Sequence, residues 1–160
     1  LTEGGYAYIP AGTPWAVANT ADGAAVFQWI RKRYEPLAGH TPRVAVGNER
    51  DIEPSPMPGT DNKWRTTRIL DPQDLAYDMH CNIVTFEPGA SIPFAETHVM
   101  EHGLFVLESK AVYRLNGDWV EVQEGDYMSL RAFCPQACYA GGPSNFRYLL
   151  YKDVNRQIVL

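Results

Sequence analysis

Short runs rich in apolar, aromatic and β-branched residues recur along this chain, and glycine, proline and Asn-Gly or Asp-Gly steps punctuate them. That pattern predicts strands, not helices. In the first segment, Tyr6–Ile9, Trp15–Ala18 and Ala25–Ile30 read as strands, with a turn at Pro10–Pro14 and a hairpin signal at Asp22-Gly23. The stretch from Glu35 to about Asn62 carries five prolines (Pro36, Pro42, Pro54, Pro56 and Pro58) and few large apolar residues. It reads as an extended linker. From Trp64 a second run of elements begins. Asp71-Pro72-Gln73-Asp74 predicts a short helical turn, with Asp71 as cap and Pro72 in first position. Tyr77–Phe86 predicts a strand, Ala95–Leu107 one strand or two, and Ala111–Leu115 another. Asn116-Gly117 turns the chain back into Trp119–Val122, and Glu124-Gly125-Asp126 leads into Tyr127–Ala132. Phe133–Ala140 and Phe146–Lys152 complete the set. Many short strands with regular turn punctuation define an all-β sandwich or barrel.

Composition narrows the class. The 160 residues are 45% hydrophobic, enough for a substantial core. The formal net charge of −5 offers no basic footprint for nucleic acid or for an anionic membrane. No apolar run reaches the roughly 20 residues that a membrane-spanning helix needs, and no signal peptide is recognised at the start. The three cysteines, Cys81, Cys134 and Cys138, fit no disulfide framework and are compatible with a reducing cytoplasm. Trp15, Trp29, Trp64 and Trp119 read as packing residues.

One segment concentrates chemistry. FEPGASIPFAETHVMEHGLFVLE holds Glu96, His98, Glu101 and His102. On a strand, Glu96, His98, Met100 and His102 share a face. On a helix, Glu96 would lie about 200° from His98. Gly89 and Pro93 before the segment and Gly103 within it disfavour a helix. Val99 follows His98 where a helical zinc-protease motif requires glutamate. The expectation is a strand bearing Glu96, His98 and His102 on one side, with Glu101 facing away. Cys134 and Cys138 with His98 and His102 offer a rival Cys2His2 zinc set, but that leaves Glu96 without a role. His80 reads as a structural histidine on its strand, and His40 as a solvated one.

Gly89, then Glu96-x-His98-x-x-x-His102, then Gly125-Asp126 and Cys134-Pro135-Gln136, resemble the two motifs of the cupin family, with Glu96 and His102 exchanging the usual positions of histidine and carboxylate. With RAFCPQACYAGG and FRYLLYKDVN, the arrangement resembles the (S)-ureidoglycine aminohydrolase family over nearly the whole chain. The resemblance implies a bicupin with an incomplete first barrel. Residues 1–35 would be the C-terminal part of a first, metal-free cupin domain, with Trp15 where a ligand histidine would stand. Residues 36–62 would be the linker and 63–160 a second, metal-binding cupin domain, the chain as a whole resembling an N-terminally truncated family member. It implies Glu96, His98, His102 and Gln136 as ligands to Mn²⁺, and Tyr113, Tyr148 and Lys152 around the substrate, with Glu96 and Gln136 touching it too. Glu96 and Lys152 would be the catalytic pair. Strand parity independently puts Tyr148, Leu150 and Lys152 on one face. The implied activity is hydrolysis of (S)-ureidoglycine to (S)-ureidoglycolate and ammonia by a cytoplasmic homo-oligomer acting on a small ureide. Other cupin activities, an iron dioxygenase or isomerase or a non-catalytic small-molecule sensor, remain open at this stage because the fold hosts many functions. Ser109 stands where the family carries glycine, which predicts a strained turn if its φ is positive.

Overall fold

The computed structural model of the chain describes residues 1–156. It is built almost entirely of strands: β1 (Gly5–Tyr8), β2 (Ala45–Asn48), β3 (Ser55–Pro56), β4 (Trp64–Arg68), β5 (Met79–Phe86), β6 (Ser91–Glu96), β7 (His102–Glu108), β8 (Lys110–Leu115), β9 (Asp118–Gln123), β10 (Tyr127–Leu130), β11 (Gln136–Tyr139) and β12 (Phe146–Asp153). A six-stranded antiparallel sheet runs β10-β7-β12-β5-β4-β3, and a four-stranded one runs β6-β11-β8-β9. Their inner faces close on one apolar core. Trp64, Val84, Phe86, Leu104, Val106, Phe146 and Tyr148 come from the larger sheet, and Ile92, Ala111, Tyr113, Val122 and Cys138 from the smaller. Alternation along β5 shows the logic: Asn82, Val84 and Phe86 point inward, while Met79 and Cys81 join a second cluster on the outer face. Trp64 stacks on Phe86 with ring centroids 5.2 Å apart.

Local turn chemistry sets several registers. β8 and β9 pair from Lys110↔Gln123 to Leu115↔Asp118, leaving Asn116-Gly117 as a two-residue loop, and Asn116 takes φ +58° as such loops require. Gly125, at φ +91°, lets the chain enter β10, and the Asp126 carboxylate accepts from the Gln123 N–H at 2.8 Å. Ser109 sits at φ +63°, so the strain expected there is present. Its hydroxyl is buried without a partner.

Several expectations fail, each for an identifiable reason. Trp15–Ala18 and Ala25–Ile30 form no strands. Strand patterning satisfies only the side chains; the backbone also needs a neighbouring edge, and none is available to them here. Trp15 and Trp29 instead meet edge-on, 5.7 Å apart, and both remain exposed, as does Trp119. Trp64 alone of the four is a core residue. The proline-rich stretch is more ordered than a tether: β2 pairs with β1, and β3 extends the larger sheet through β4. The helical turn at Asp71 is two successive β-turns, with the Asp71 and Asp74 carboxylates capping the N–H groups of Gln73 and Ala76.

The N-terminal segment is anchored on the outside of the larger sheet. Lys32 Nζ reaches the buried Asp78 carboxylate at 2.8 Å, and the backbone N–H of Glu35 donates to the same oxygen at 2.9 Å. No closed barrel exists within residues 1–62; their regular structure is the β1–β2 pair, a 3₁₀ turn at Glu49–Asp51 and β3.

Candidate metal and substrate site

The segment from Glu96 to His102 is not one strand. Glu96 ends β6, His98 lies in the connection, and His102 opens β7. Pro93 within β6 and the Phe133 N–H, which binds the His98 carbonyl at 2.8 Å, shape this crossing from the smaller sheet to the larger. The predicted residues still come together. The His98 and His102 rings lie 4.8 Å apart, and His98 Nε2 is 3.8 Å from Glu96 Oε1. Gln136 opens β11 directly opposite Glu96. Its Oε1 lies 3.2 Å from His102 Nε2 and accepts from the Tyr113 hydroxyl at 3.3 Å. Both His102 and Gln136 are buried, and the smaller sheet holds Tyr113 fully buried.

The larger sheet supplies the facing wall. Lys152 on β12 pairs with His102 on one side and His80 on the other. Tyr148, four residues earlier, shares its face and meets Tyr113 edge-on at 6.3 Å. Glu101 is exposed, but it lies in the connection before β7, so strand parity is not the reason. A polar hollow of about 250 Å³ lined by Glu101, His102, Ser129, Tyr151 and Asp153 lies on the outer side of the larger sheet, where Tyr151 and Asp153 alternate with Lys152.

Electrostatics prepare this cluster for ligation. Burial lowers the His98 pKa, the nearby Lys152 and His102 lower it further, and Glu96 opposes them. The imidazole is thereby kept neutral, the form that donates a lone pair to a metal. Burial likewise lowers the Lys152 pKa, Glu96 pulls it back up, and Arg68 pushes it down. Burial holds Tyr113 and Tyr148 as neutral phenols, well above their ordinary value.

The donor set suits a divalent transition metal: one carboxylate, two imidazoles and one amide oxygen. The His98 Nδ1 is buried without a hydrogen-bond partner, a cost that a bound group or a small ring rotation would relieve. Among the described residues, no three His, Cys, Asp or Glu side chains, Glu96, His98 and His102 included, stand in a metal-holding group. The rival zinc set fails on placement. Cys138 is part of the apolar core, paired with Ile92 and Tyr113, and among the described residues no cysteine groups with His98 and His102. All three cysteines are free thiols.

Of two inward-facing residues on β5, His80 was read from the sequence as a structural histidine and Asn82 was not singled out. His80 and Asn82 follow the same alternation as Val84 and Phe86, and that parity was the available signal.

Two antiparallel sheets closing face to face on one core have the architecture of a cupin. The chain has that fold, and its residues 82–151 match the cupin domain family. It is similar, at 37% identity over 99% of its own length and 60% of the relative's, to the (S)-ureidoglycine aminohydrolase of Escherichia coli (strain K12). The corresponding Arabidopsis thaliana protein is 36% identical over 98% of this chain and 51% of its own. Among solved structures, a putative glyoxylate induced protein from Pseudomonas aeruginosa superposes with a TM-score of 0.75 and 65% identity, covering 81% of this chain and 48% of that one. A predicted oxalate decarboxylase from Thermotoga maritima, TM-score 0.59 at 15% identity over 67% of this chain and 96% of that one, shares the fold alone. The chain is thus similar over nearly its whole length to proteins named (S)-ureidoglycine aminohydrolase, and it spans about half to three-fifths of the length of those it matches.

Proposed function

We propose that this chain carries the catalytic half of an (S)-ureidoglycine aminohydrolase. The observation that carries the reading is the meeting of Glu96, His98, His102 and Gln136 opposite Lys152, in a chain similar over nearly its whole length to proteins of that name. In the reaction, the bond between the substrate's central carbon and its amine breaks, water supplies a hydroxyl to that carbon, and ammonia leaves with the second proton. Glu96, His98, His102 and Gln136 would hold Mn²⁺, which when bound supplies positive charge and a template for the substrate's polar atoms.

The chain's own groups do the rest. The Lys152 ammonium pairs the substrate carboxylate. Tyr113, whose hydroxyl already donates to Gln136, fixes that amide and bounds the pocket together with Tyr148. Both phenols stay protonated and orient the ureido end by hydrogen bonding. Glu96 takes a proton from the attacking water at a carboxylate oxygen and returns it to the leaving amine. The same reading takes residues 1–35 as part of a first, metal-free cupin domain joined by 36–62 to the catalytic domain at 63–160, in a cytoplasmic homo-oligomer. Among the described residues no helix is long and apolar enough to cross a membrane.

The test is ammonia release from freshly prepared (S)-ureidoglycine under anaerobic conditions, with elemental analysis of the same sample. Hydrolysis without oxygen, with one divalent metal per chain that is lost in His98→Ala/His102→Ala, is the expected result. Oxygen-dependent turnover, or tight substrate binding without ammonia, would reassign the site to an oxygenase or a sensor.

A further inference from the structure

The wall around Lys152 contains more positive charge than the ligand set accounts for. Cross-strand partners share a face, so the register aligns His80, Lys152 and His102 as one inward row on β5, β12 and β7. The adjacent row runs Arg68, Asn82, Leu150 and Leu104. Both rows continue the face that carries Phe86, Val84 and Tyr148 into the core. Arg68 is thus the diagonal neighbour of His80, at about 7–8 Å between backbones, within reach of a long side chain.

None of these groups is neutralised. Among the described residues, the ion pairs involve neither Arg68 nor Lys152. The Nε2 of His80 is buried with no hydrogen-bond partner. Glu96 is the carboxylate that acts on Lys152, and it belongs to the ligand set on the opposite sheet. Each basic group also feels the others: Arg68 bears on Lys152, and Lys152 and Arg68 both bear on His80. An arginine, a lysine and an unpartnered imidazole nitrogen on neighbouring rows of one face, without an internal anion, are complementary to an anion from outside.

We propose that Arg68 and His80 complete, with Lys152, a carboxylate-binding subsite on the inner wall of the six-stranded sheet. The assignment of the substrate's own carboxylate to this subsite rests on the hydrolase reading above. Arg68, exposed at the rim, offers the planar fork that pairs a carboxylate through two parallel bonds. Lys152 adds a point charge deeper in, and His80, whose other ring nitrogen is bonded to the Pro72 carbonyl, donates from Nε2 when the bound carboxylate draws a proton onto it. The carboxylate is then held on the β4–β5–β12 side, and the reacting carbon is turned toward Glu96, His98 and His102.

N-carbamoylglycine and its primary amide separate the possibilities. The acid carries the ureido and carboxylate groups of the substrate but lacks the amine that leaves; the amide lacks the charge as well. Calorimetry on the intact chain should show Arg68→Gln weakening the acid about tenfold and His80→Ala several-fold, with the amide changed less than about twofold. His80→Gln, which keeps an N–H donor, should retain most of the affinity. With ureidoglycine, the loss should appear in KM, with kcat little changed. Equal weakening of acid and amide, or unchanged affinity for both, would overturn the subsite. Acid-selective losses in a chain that releases no ammonia would keep the subsite and reject the hydrolase. Full hydrolase activity with unaltered KM in both variants would do the reverse.

Discussion

Lys152→Met sets fold stability against function at a single position. Lys152 is largely withdrawn from water, its pKa is lowered first by burial and then by Arg68, and Glu96 is the charge that favours its protonated form. Among the described residues it makes no salt bridge. A buried ammonium with a distant partner costs more desolvation than it regains by attraction. Methionine has a similar length and no charge, and the Leu150 and Tyr148 side of the wall is already apolar. The substitution should therefore stabilise the fold by about 1 kcal/mol, near the lower end of the range for replacing buried charges. For a chain of this size that raises Tm by roughly 2–4 °C. Substrate affinity should move the other way. Loss of one charge-assisted contact costs about 1.5–3 kcal/mol, or roughly ten- to a hundredfold in kcat/KM. Urea unfolding, ammonia release and metal content should be read on one preparation, and metal content should stay at the wild-type level. Destabilisation by more than about 1 kcal/mol would show that Lys152 is a structural partner of Glu96. Unchanged kcat/KM would remove it from the site, and so would activity that merely tracks lost metal.

Ser109→Gly should stabilise by about 1 kcal/mol in urea titration, because it relieves a left-handed backbone at φ +63° and removes a buried unpartnered hydroxyl; a destabilised variant would mean the hydroxyl has a partner. Gly103→Ala should destabilise by about 1–3 kcal/mol, since its Cβ would stand 2.5 Å from Tyr151 Cε1 and 2.6 Å from the Tyr127 hydroxyl. A hollow of about 400 Å³ beside Tyr151 gives that ring room to shift, which favours the lower end; an effect within 0.5 kcal/mol would refute the clash. His80 has its pKa lowered by burial first and Lys152 second, so below its ordinary 6.5 the unfolded chain takes a proton that the folded one resists. Its contribution is therefore fully present above pH 6.5 and declines on acidification. Urea midpoints between pH 7.5 and 5 (about two units spanning that value) should fall less steeply in His80→Asn than in wild type, and parallel slopes would exclude His80 as a source.

The outline of the fold was legible where local chemistry decides it. Asn116-Gly117 fixes one hairpin register, and the alternation along β5 and β12 fixes which side chains turn inward. The same alternation misled at Trp15–Ala18 and Ala25–Ile30, because it describes side chains while a strand also requires a backbone partner far away in sequence. At Glu96–His102 the residue set was legible and the element was not. A strand face and a strand–loop–strand crossing both bring Glu96, His98 and His102 together, so the spacing alone does not separate them. What separates them is Gln136, thirty-four residues beyond His102, which pairs with Glu96 across one sheet while His102 pairs with Lys152 across the other. The site exists only where these two registers meet.

His80 shows the other side of this dependence. Within its own strand it is a half-buried histidine beside a cysteine, with no signal beyond parity. Its significance comes from β12, which places Lys152 opposite it, and from β4, which brings Arg68 onto the neighbouring row. Both neighbours are cations, and cations crowded against a half-buried imidazole lower stability unless something offsets them. A structural role would favour an apolar residue or a carboxylate at one of the three positions. Three basic groups on neighbouring rows, with an unpartnered imidazole nitrogen among them, fit an anion that binds from outside. On the proposal above, the uncompensated charge on this wall and the unpartnered ring nitrogen are two aspects of one feature, and a single carboxylate placed between them relieves both.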